Sequence, residues 1–193
     1  MFIINSAAYV HSEFQNELGL IPPCLLPIGN KKLIEFQVQA IRKVFNGCIY
    51  VSLPESYRLS INEDLLLSSL KVNVVFVPEQ FSLGESLAYI LNSEYLTNKE
   101  FNSLRMLHGD TLITELIEEL DIISVGEANS DYGWEKLEND EQTGRNLVWS
   151  GFFSFSDPLL LLKYLALYRS DFILAVRQYS TDKNTDKIEL LEW

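Results

Sequence analysis

Basic residues, cysteine and histidine are scarce in this sequence. Its 193 residues contain 15 Lys and Arg against 27 Asp and Glu, which gives a formal net charge of −12. A nucleic-acid footprint needs a basic face and anionic lipid attracts basic clusters, so this balance argues against nucleic acid and membrane as partners. With two cysteines and two histidines, a disulfide framework, a zinc centre and a His-rich metal site are equally disfavoured.

Long hydrophobic runs are missing as well. No stretch of about 18 apolar residues could cross a bilayer, and the apolar start Met1-Phe2-Ile3-Ile4 has no basic segment of the kind that opens a signal peptide. We therefore expect a cytoplasmic protein. At 47% hydrophobic and 12% aromatic residues, the chain has enough apolar surface to bury a large core. Without a linker or repeat, residues 1–193 are predicted to form a single domain.

Strands and helices alternate up to Asp110. Apolar, β-branched runs predict four strands, at Phe2–Ala7, Cys48–Leu53, Lys71–Val77 and Leu104–Leu107. Between them, helical spacing and two capping boxes predict helices over 32–46 (closed by Gly47), 60–70 and from Ser82. This alternation predicts a Rossmann-like α/β fold, with a mostly parallel sheet covered by helices on both faces.

The second half of the chain has a different pattern, which predicts an antiparallel portion of the sheet. Helices are predicted over Leu112–Leu120, after Asp157-Pro158 as far as Tyr168, and over Ser170–Gln178. The predicted strands are Ile122–Val125, Tyr132–Leu137, Leu147–Phe155 and Ile188–Trp193, with a polar turn over Glu138–Arg145.

Ligands of open α/β sheets bind beyond the carboxyl ends of the strands, and two stretches with small residues fall there. Ala7-Ala8 follows the first strand and lets the backbone approach a ligand closely. Phe81–Glu85 opens the helix after the third strand, where free N–H groups and the helix dipole suit a phosphate or a base. An ordinary capping box is the commoner role of such a segment.

Two further stretches place a carboxylate at a strand end. Asp110 follows the fourth strand, and Mg²⁺ prefers one or two carboxylates together with substrate phosphates. The alternative role of Asp110, as N-cap of a helix at Leu112, is equally frequent. Tyr132-Gly133-Trp134-Glu135 sets a carboxylate beside two aromatic rings, which suits a sugar, although a buried strand with an edge glutamate is commoner. Trp149 and Phe152 are predicted to be core residues.

A proline-rich stretch, Ile21–Glu35, joins the first strand to the first long helix. Three prolines keep it out of helix and sheet, and Gly29-Asn30 suits a turn. On shape alone the stretch is either a plain connection or a loop held rigid over a ligand. Its sequence Leu-Leu-Pro-Ile-Gly-Asn-Lys-Lys-Leu-Ile, from Leu25 onward, resembles a segment near the N-terminus of sugar-phosphate nucleotidyltransferases.

The other stretches resemble the same family in order and spacing. In that family the first strand ends in Leu-Ala-Ala-Gly, a Leu-Gly-x-x-x-Ala segment contacts the nucleotide, a Gly-Asp strand end binds Mg²⁺, and a Tyr-Gly-x-x-Glu strand lines the sugar. Here Ser150-Gly151-Phe152 is similar to a later Ala/Thr-Gly-hydrophobic strand. The resemblance implies a glycosyltransferase-A-like fold, Mg²⁺ as cofactor, and an NTP and a phosphorylated sugar or alcohol as substrates. It also implies these site residues: Asp110 for metal and catalysis; Ala7, Ala8, Leu26, Glu79, Gly84, Glu85 and Gly109 for the nucleotide; Tyr132, Gly133, Glu135 and Gly151 for the second substrate.

Several positions depart from the family pattern. The family's Gly-x-Gly-Thr/Ser-Arg loop is replaced here by Tyr9–Glu13, with no glycine and no arginine. Its lysine before Leu-Leu-Pro falls on Pro23, and its strand glutamate falls on Lys136. A second metal-binding aspartate would come after Trp193, so we expect this chain to be the N-terminal part of a longer protein. The remaining candidate cations are Lys31, Lys32, Arg42 and Arg145. Of these, Lys31 is assigned to catalysis, although a lysine at this position is more commonly a solvent-exposed charge.

Three functions follow in order of preference. The first is nucleotidyl transfer from an NTP to a sugar phosphate or similar phosphorylated alcohol, with release of pyrophosphate, for surface-polysaccharide precursors. The second is a catalytically inactive nucleotide- or sugar-phosphate-binding module, because the Gly-rich loop and the lysine are replaced. The third is a glycosyltransferase on a related fold, which would need an Asp-x-Asp pair where Gly109-Asp110-Thr111 supplies one acid. The base, the sugar and the oligomeric state stay open.

Overall fold

A computed structural model describes residues 1–93, 102–127 and 147–189. The six helices of these residues are α1 (Ser12–Leu18), α2 (Leu33–Val44), α3 (Ile61–Ser69), α4 (Leu83–Asn92), α5 (Pro158–Leu167) and α6 (Phe172–Lys183). Their strands are β1 (Phe2–Asn5), β2 (Pro27–Ile28), β3 (Lys31–Lys32), β4 (Ile49–Pro54), β5 (Val72–Val77), β6 (Leu104–His108), β7 (Ile122–Glu127), β8 (Leu147–Phe155) and β9 (Asp186–Glu189).

Seven strands form one sheet in the order β5-β4-β1-β6-β8-β7-β9. β1 lies between β4 and β6 and is parallel to both, with Ile3 opposite Tyr50 on one side and Met106 on the other. β8 runs antiparallel to its neighbours β6 and β7, and β9 is parallel to β7. The predicted α/β fold, a mostly parallel sheet with an antiparallel part in the second half, is therefore confirmed.

Each face of the sheet carries its own hydrophobic core. The alternation along β1 sends Phe2 and Ile4 to one face, where they pack with residues of α2 and α3. Ile3 points to the other face, which is covered by α4, α5 and α6. On the first face, Ile34 and Ile41 of α2 are fully buried, as the helical spacing of its apolar residues requires.

Helix caps hold the elements at the places that their sequence signals predict. The two predicted capping boxes are formed: the side chains of Ser60 and Ser82 accept the N–H groups of Glu63 and Glu85, and these glutamates bond back. Asp157 caps α5, with Pro158 in its first turn. The last predicted helix forms as α6 and extends five residues beyond Gln178, to Lys183.

Residues 112–120 are a correction, because they form no helix. Side chains of other elements hold the two ends of the segment. Gln37 donates to the Thr111 carbonyl, Arg105 to that of Glu118, and Ser154 to that of Glu119. Between these points the segment joins β6 to β7 without a helix and buries Ile113 and Leu116.

Smaller differences concern turns and ends. The proline-rich stretch contains a 3-10 turn at Pro23–Leu25 and the two-residue hairpin β2–β3, with Gly29 at φ 63° in its turn. α2 ends on Phe45 in an extended conformation, so Gly47 does not act as a left-handed cap. β9 begins at Asp186, two residues before the predicted strand. The predicted strand Tyr132–Leu137, the turn Glu138–Arg145 and residues 190–193 lie outside the described residues.

No helix in the described part of the chain combines the length and apolar character needed to cross a bilayer.

Candidate functional site

The carboxyl ends of β1 and β6 meet at one edge of the sheet and form a cleft of about 240 Å³. The residues after β1 supply one wall, with Ala7 and Ala8, and those after β6 supply the other, with Gly109 and Asp110. Four of the predicted site residues are thereby brought together. β1 lies in the interior of the sheet between two parallel strands, which is where α/β proteins of this kind hold their ligands.

Buried serines fix the backbone after β1. The Ser52 hydroxyl of β4 donates to Asn5 Oδ1 at 2.8 Å and accepts the N–H of Ser6 at 2.9 Å. The Ser6 hydroxyl in turn accepts the N–H of Cys24 at 3.0 Å. These bonds tie the strand end to the proline-rich stretch, so that Pro23 lines the same cleft.

Gly109 allows the two strand ends to approach closely. Its N–H donates to the Asn5 carbonyl at 2.8 Å. A Cβ placed on Gly109 would lie 2.5 Å from both Cβ and Oγ of Ser6, closer than real Cβ contacts allow. The glycine before Asp110 is therefore required by packing, independently of any ligand.

Gln37 holds the loop that carries Asp110. This side chain of α2 is fully buried, and its Nε2 donates to the carbonyls of His108 at 3.2 Å, Gly109 at 3.1 Å and Thr111 at 2.8 Å. Asp110 itself is exposed at the cleft. Because no helix follows it, the N-cap alternative for Asp110 is removed, and its carboxylate is available to the cleft.

His108 and Gly151 lie beneath this loop. Burial lowers the pKa of the His108 imidazole to about 4, although the Asp110 charge opposes the shift, so the ring is neutral near pH 7. Gly151 has φ +97°, and a Cβ there would lie 2.6 Å from Thr111 Oγ1 and 3.3 Å from the His108 side chain. Gly151 therefore lies under the Asp110 loop, at a kink of β8. The Ser124 hydroxyl bridges this kink, because it accepts the N–H of Phe152 at 2.9 Å.

A larger apolar groove of about 990 Å³ adjoins the cleft and shares Ala8, Pro23 and Asp110 with it. α1 and the proline-rich stretch form its walls, and Leu26 lines it as well. Phe14 of α1 is 58% exposed. Tyr9–Glu13, which stands where the related sequence pattern has its glycine-rich, arginine-bearing loop, runs into the first turn of α1, and Tyr9, Val10 and His11 line this groove as well.

A third cavity, of about 430 Å³, lies between α4 and the turn that joins α5 to α6. It shares Leu83 with the cleft and is also lined by Gly84, Trp149 and Arg169. Arg169 has φ +52° in this turn and is exposed. Within the part of the chain that the structure describes, it is the one Lys or Arg that lines these three cavities, and nothing in its local sequence singled it out.

Gly84 has a packing role in the same region. A Cβ on it would lie 2.0 Å from the Ser170 carbonyl oxygen, so α4 rests directly on the α5–α6 turn. The predicted nucleotide residue Gly84 therefore also lets α4 position Arg169.

Other predicted site residues lie elsewhere. Lys31 is exposed on β3, with Nζ 5.5 Å from the centre of the Phe36 ring. Lys32 forms an ion pair with Glu63 at 3.0 Å, and Arg42 donates to the Gly47 carbonyl. Glu79 and Glu85 are exposed, line none of these three cavities, and in the case of Glu85 cap α4. Tyr132, Gly133, Glu135 and Arg145 lie outside the described residues.

The binding of a metal ion here depends on the His, Cys, Asp and Glu side chains that the structure brings together. Within residues 1–93, 102–127 and 147–189, no group of three or more His, Cys, Asp and Glu is arranged to hold a metal ion. A dedicated protein cage for a cation is therefore not formed by these residues. A single exposed carboxylate such as Asp110 fits a Mg²⁺ ion that is shared with substrate phosphates, because Mg²⁺ keeps few protein ligands.

Cysteine chemistry does not fit this site. Cys24 is fully buried next to the cleft, and burial raises the pKa of its thiol to about 12, although a bond with Ser6 opposes the shift. The thiol is therefore protonated near pH 7 and is a poor nucleophile. Cys48, which directly precedes β4, is exposed.

Comparisons with known proteins place this fold. The sequence matches no protein-family model and no curated protein. Solved structures do match. A UDP-glucose pyrophosphorylase complexed with UDP-glucose is 16% identical with a TM-score of 0.67, over 100% of this chain and 90% of that one. The CTP:phosphocholine cytidylyltransferase of Streptococcus pneumoniae is 17% identical with a TM-score of 0.62, over 97% and 89%.

A third match is the inositol-1-phosphate CTP transferase of T. maritima, which is 13% identical with a TM-score of 0.64 over 98% of this chain and 84% of that one. All three solved proteins are described as enzymes of nucleotide-dependent transfer. The chain thus has the fold of the sugar-phosphate nucleotidyltransferases. The resemblance predicted from the ordered motifs is confirmed for the fold, at identities that fit a divergent sequence.

Proposed function

We propose that this chain transfers a nucleotidyl group from an NTP to a sugar phosphate or a similar phosphorylated alcohol and releases pyrophosphate. The observation that carries this proposal is the meeting of Ala7-Ala8 with Gly109-Asp110 at one cleft of the sheet. Asp110 is exposed there without a capping role, on a loop that Gln37 holds in place. By the resemblance of its motifs, we further propose that the product supplies surface-polysaccharide synthesis.

In this proposal Asp110 would hold Mg²⁺. When bound, the ion would neutralise charge on the donor phosphates. The residues of the chain would position the two substrates, which is most of what catalysis of phosphoryl-type transfer requires. Ala7 and Ala8 leave room for the nucleotide at the end of β1, and His108, neutral near pH 7, adds no charge at the bottom of the cleft.

Arg169 would receive the phosphate of the second substrate. It lines the 430 Å³ cavity together with Leu83 and Trp149, and this cavity joins the cleft through Leu83. A guanidinium group binds phosphate in a bidentate way. The attacking phosphate would then approach the donor from the α5–α6 side of the cleft, with Asp110 on the opposite side.

A binding module without catalysis is the second candidate, and the apolar groove favours it. Where the family has glycines and an arginine around the triphosphate, this chain has Tyr9–Glu13 followed by α1, and Tyr9, Phe14 and Leu18 line the groove. Among the described residues, no Lys or Arg lines either the cleft or the groove. Of these residues, Arg169 and a cation held at Asp110 would then supply the charge stabilisation in the transition state.

The first experiment measures the melting temperature with ATP, CTP, GTP, UTP and dTTP, each with and without Mg²⁺. One NTP is expected to raise the midpoint by roughly 5 to 10 °C at about 100 times its Kd, and to need Mg²⁺ for this effect. Asp110→Asn should remove the Mg²⁺-dependent part. Glu115→Gln is the matched control, since Glu115 is exposed on the same loop and lines none of the three cavities.

Pyrophosphate release then separates the two candidates. With the NTP so identified, the enzyme releases pyrophosphate when glucose 1-phosphate, inositol 1-phosphate or phosphocholine is added, whereas a binding module does not. In the enzyme, Arg169→Asn should raise the KM for the phosphorylated substrate at least tenfold and leave the NTP-induced shift unchanged. Asn is chosen because it tolerates the left-handed backbone of this position. A lack of any NTP shift would refute both the transfer reaction and a nucleotide-binding module for this chain.

A further inference from the structure

The two outer strands of the described sheet, β5 and β9, differ in charge. β9 has the sequence Asp-Lys-Ile-Glu, in which only the isoleucine is uncharged. β5 has the sequence Val-Asn-Val-Val-Phe-Val, which contains no charged residue, no proline and no glycine. Proteins guard the outer strands of their sheets with charges, prolines, bulges or short length, because an unguarded strand pairs with other chains. β9 is guarded in this way and β5 is not.

The backbone of β5 is regular enough to accept a further strand. Its six residues pair with β4 without a register shift, from Val72 opposite Ile49 to Val77 opposite Pro54. Of the described strands, β4 is the one that pairs with it. The N–H and C=O groups that point away from β4 are therefore open to pairing with another strand.

A groove of about 870 Å³ follows β5 on the side of α4, and we call it the edge groove. Val74, Val75 and Phe76 line it from β5, and Ala88 and Tyr89 line it from α4. Phe76 and Tyr89 are each 42% exposed. The outer strand is thus flanked by exposed apolar surface, of the kind that marks contact with another molecule.

The charge of this surface indicates what covers it. Of the described residues that line the edge groove, Glu85 alone is charged, and its carboxylate accepts the N–H of Ser82 at 2.8 Å as part of the α4 cap. A basic partner is attracted to the acidic rest of the molecule, whose net charge is −12, and gains little from an uncharged strand. Two copies of the chain repel each other over most of their surfaces, but at β5 they meet without opposing like charges.

We propose that two copies of the chain associate through β5, whose strands pair antiparallel about a two-fold axis perpendicular to the sheet. With Val75 at the axis, Val74 lies opposite Phe76 of the partner subunit. These two residues point to the same face of the sheet, as cross-strand neighbours do. On the other face the two α4 helices lie side by side and bury Tyr89. The inference does not rest on the proposed transfer reaction, because it uses the strand edge and not the cleft.

Sedimentation velocity from about 1 µM to about 200 µM protein, in about 150 mM NaCl to screen the net charge, tests the association. The mass should rise with concentration from 22.2 kDa to twice this value. Phe76→Lys, which places a charge in the interface, should weaken the association by roughly tenfold or more. Phe14→Lys is the matched control, because Phe14 is 58% exposed on α1 and lines no part of the edge groove. It should associate as the parent does, and melting temperatures at the lowest concentration verify that both variants are folded.

Hydrogen exchange followed by mass spectrometry shows which strand is covered. In the parent, the backbone amides of residues 72–77 should exchange more slowly at the highest concentration than at the lowest, because strand pairing protects the N–H groups that point away from β4. Residues 186–189 of β9 are the internal control and should exchange equally at both concentrations. An interface formed elsewhere would leave the exchange of β5 unchanged.

Three results would overturn the proposal. They are a parent chain that stays at 22.2 kDa at every concentration, a dimer that Phe76→Lys leaves intact, and a dimer whose formation does not slow exchange in residues 72–77. A dimer that Phe14→Lys dissociates and Phe76→Lys does not would place the contact at the apolar groove beside α1 instead.

Discussion

Gln37 is the residue on which the position of Asp110 depends most. Its buried Nε2 donates to three carbonyl groups of the loop, those of His108, Gly109 and Thr111. Removal of one partner from a buried polar group costs about 1–3 kcal/mol, because the remaining group stays desolvated. The side chain thus couples the stability of α2 to the geometry of the cleft.

Gln37→Ala is therefore expected to cost about 3 kcal/mol in the free energy of unfolding, as measured by urea denaturation. At temperatures where the variant is folded, its Mg²⁺-dependent shift with NTP should be reduced. Gln39→Ala is the control, because Gln39 is exposed in the same helix and its loss should stay within about 0.5 kcal/mol. Equal stability of the two variants would show that the loop does not need this donor.

The carboxylate of Glu63 accepts several hydrogen bonds and forms an ion pair. Burial alone would raise the pKa of its carboxyl, but the Ser60 N–H, the Lys32 ammonium and the hydroxyls of Ser60 and Tyr57 outweigh this and lower it to about 2. The carboxylate joins α3 to the start of α2 through Lys32 at 3.0 Å. A carboxyl with a lowered folded-state pKa stabilises the fold above its unfolded pKa, and this contribution is lost as the pH falls towards 2.

Glu63→Gln should consequently destabilise the protein by about 3 kcal/mol at pH 7. This difference in the free energy of unfolding should shrink as the pH falls from about 4.5 to about 2. The parent carboxyl becomes protonated near pH 4.5 in the unfolded state and near pH 2 in the folded state. Urea denaturation at pH 7, 5, 4 and 3 measures both quantities. Asp64→Asn is the control on the same helix, exposed and uninvolved. A difference from the parent that is constant with pH would contradict the assignment.

At the scale of elements, the contact between α4 and the α5–α6 turn shapes the 430 Å³ cavity that Arg169 lines. Gly84 in the first turn of α4 faces the carbonyl of Ser170, which has φ +63°. The turn is closed by the Ser170 N–H, which donates to the Leu165 carbonyl at 2.7 Å. Backbone therefore packs on backbone here, and neither side is able to yield by a change of rotamer.

Gly84→Ala is expected to cost about 3–5 kcal/mol, because its Cβ would lie 2.0 Å from the Ser170 oxygen and force the two elements apart. Gly29→Ala makes the comparison: Gly29 has φ +63° but nothing within 4 Å of its Cβ position, so it should cost only about 1 kcal/mol. Thermal or urea denaturation of both variants checks the difference. Similar losses would mean that the contact between α4 and the Ser170 carbonyl yields at little cost.

Local signals predicted most elements, because their physical cause is local. The capping serines Ser60 and Ser82 bond to residues three positions away, so a four-residue pattern contains the whole interaction. The segment 112–120 is predicted as a helix, but side chains of three other elements, Gln37, Arg105 and Ser154, hold its two ends at Thr111, Glu118 and Glu119. Tertiary competition of that kind leaves no trace in a local pattern.

The cleft was predictable in part for the same reason. Ala7, Ala8 and Asp110 follow apolar strands, and the rule that parallel strands end at one edge brings them together. Arg169 follows no strand and belongs to no motif, and only the packing of α4 on the α5–α6 turn sets it beside Leu83. The cavity lined by Trp149, Arg177 and Lys187 likewise brings together three elements that no local signal pairs.

At the scale of the whole molecule, the formal net charge of −12 repels itself in the compact state. A rise in NaCl from about 20 mM to about 300 mM, which shortens the screening length several-fold, should raise the melting temperature by a few degrees. The same change in osmolarity made with a neutral solute should have less effect. A fall of the melting temperature with NaCl would indicate that attractive pairs such as Lys32–Glu63 outweigh the general repulsion.

The outer strand β5 affects how this protein aggregates when it unfolds. Its sequence Val-Asn-Val-Val-Phe-Val contains no charge, proline or glycine, and of the described strands it pairs with β4 alone. Such a segment is a template for cross-β stacking between chains once α3 and β4 no longer accompany it. Heating is therefore expected to end in aggregates, at a rate that rises with protein concentration, and a lysine in place of exposed Phe76 would restore recovery on cooling.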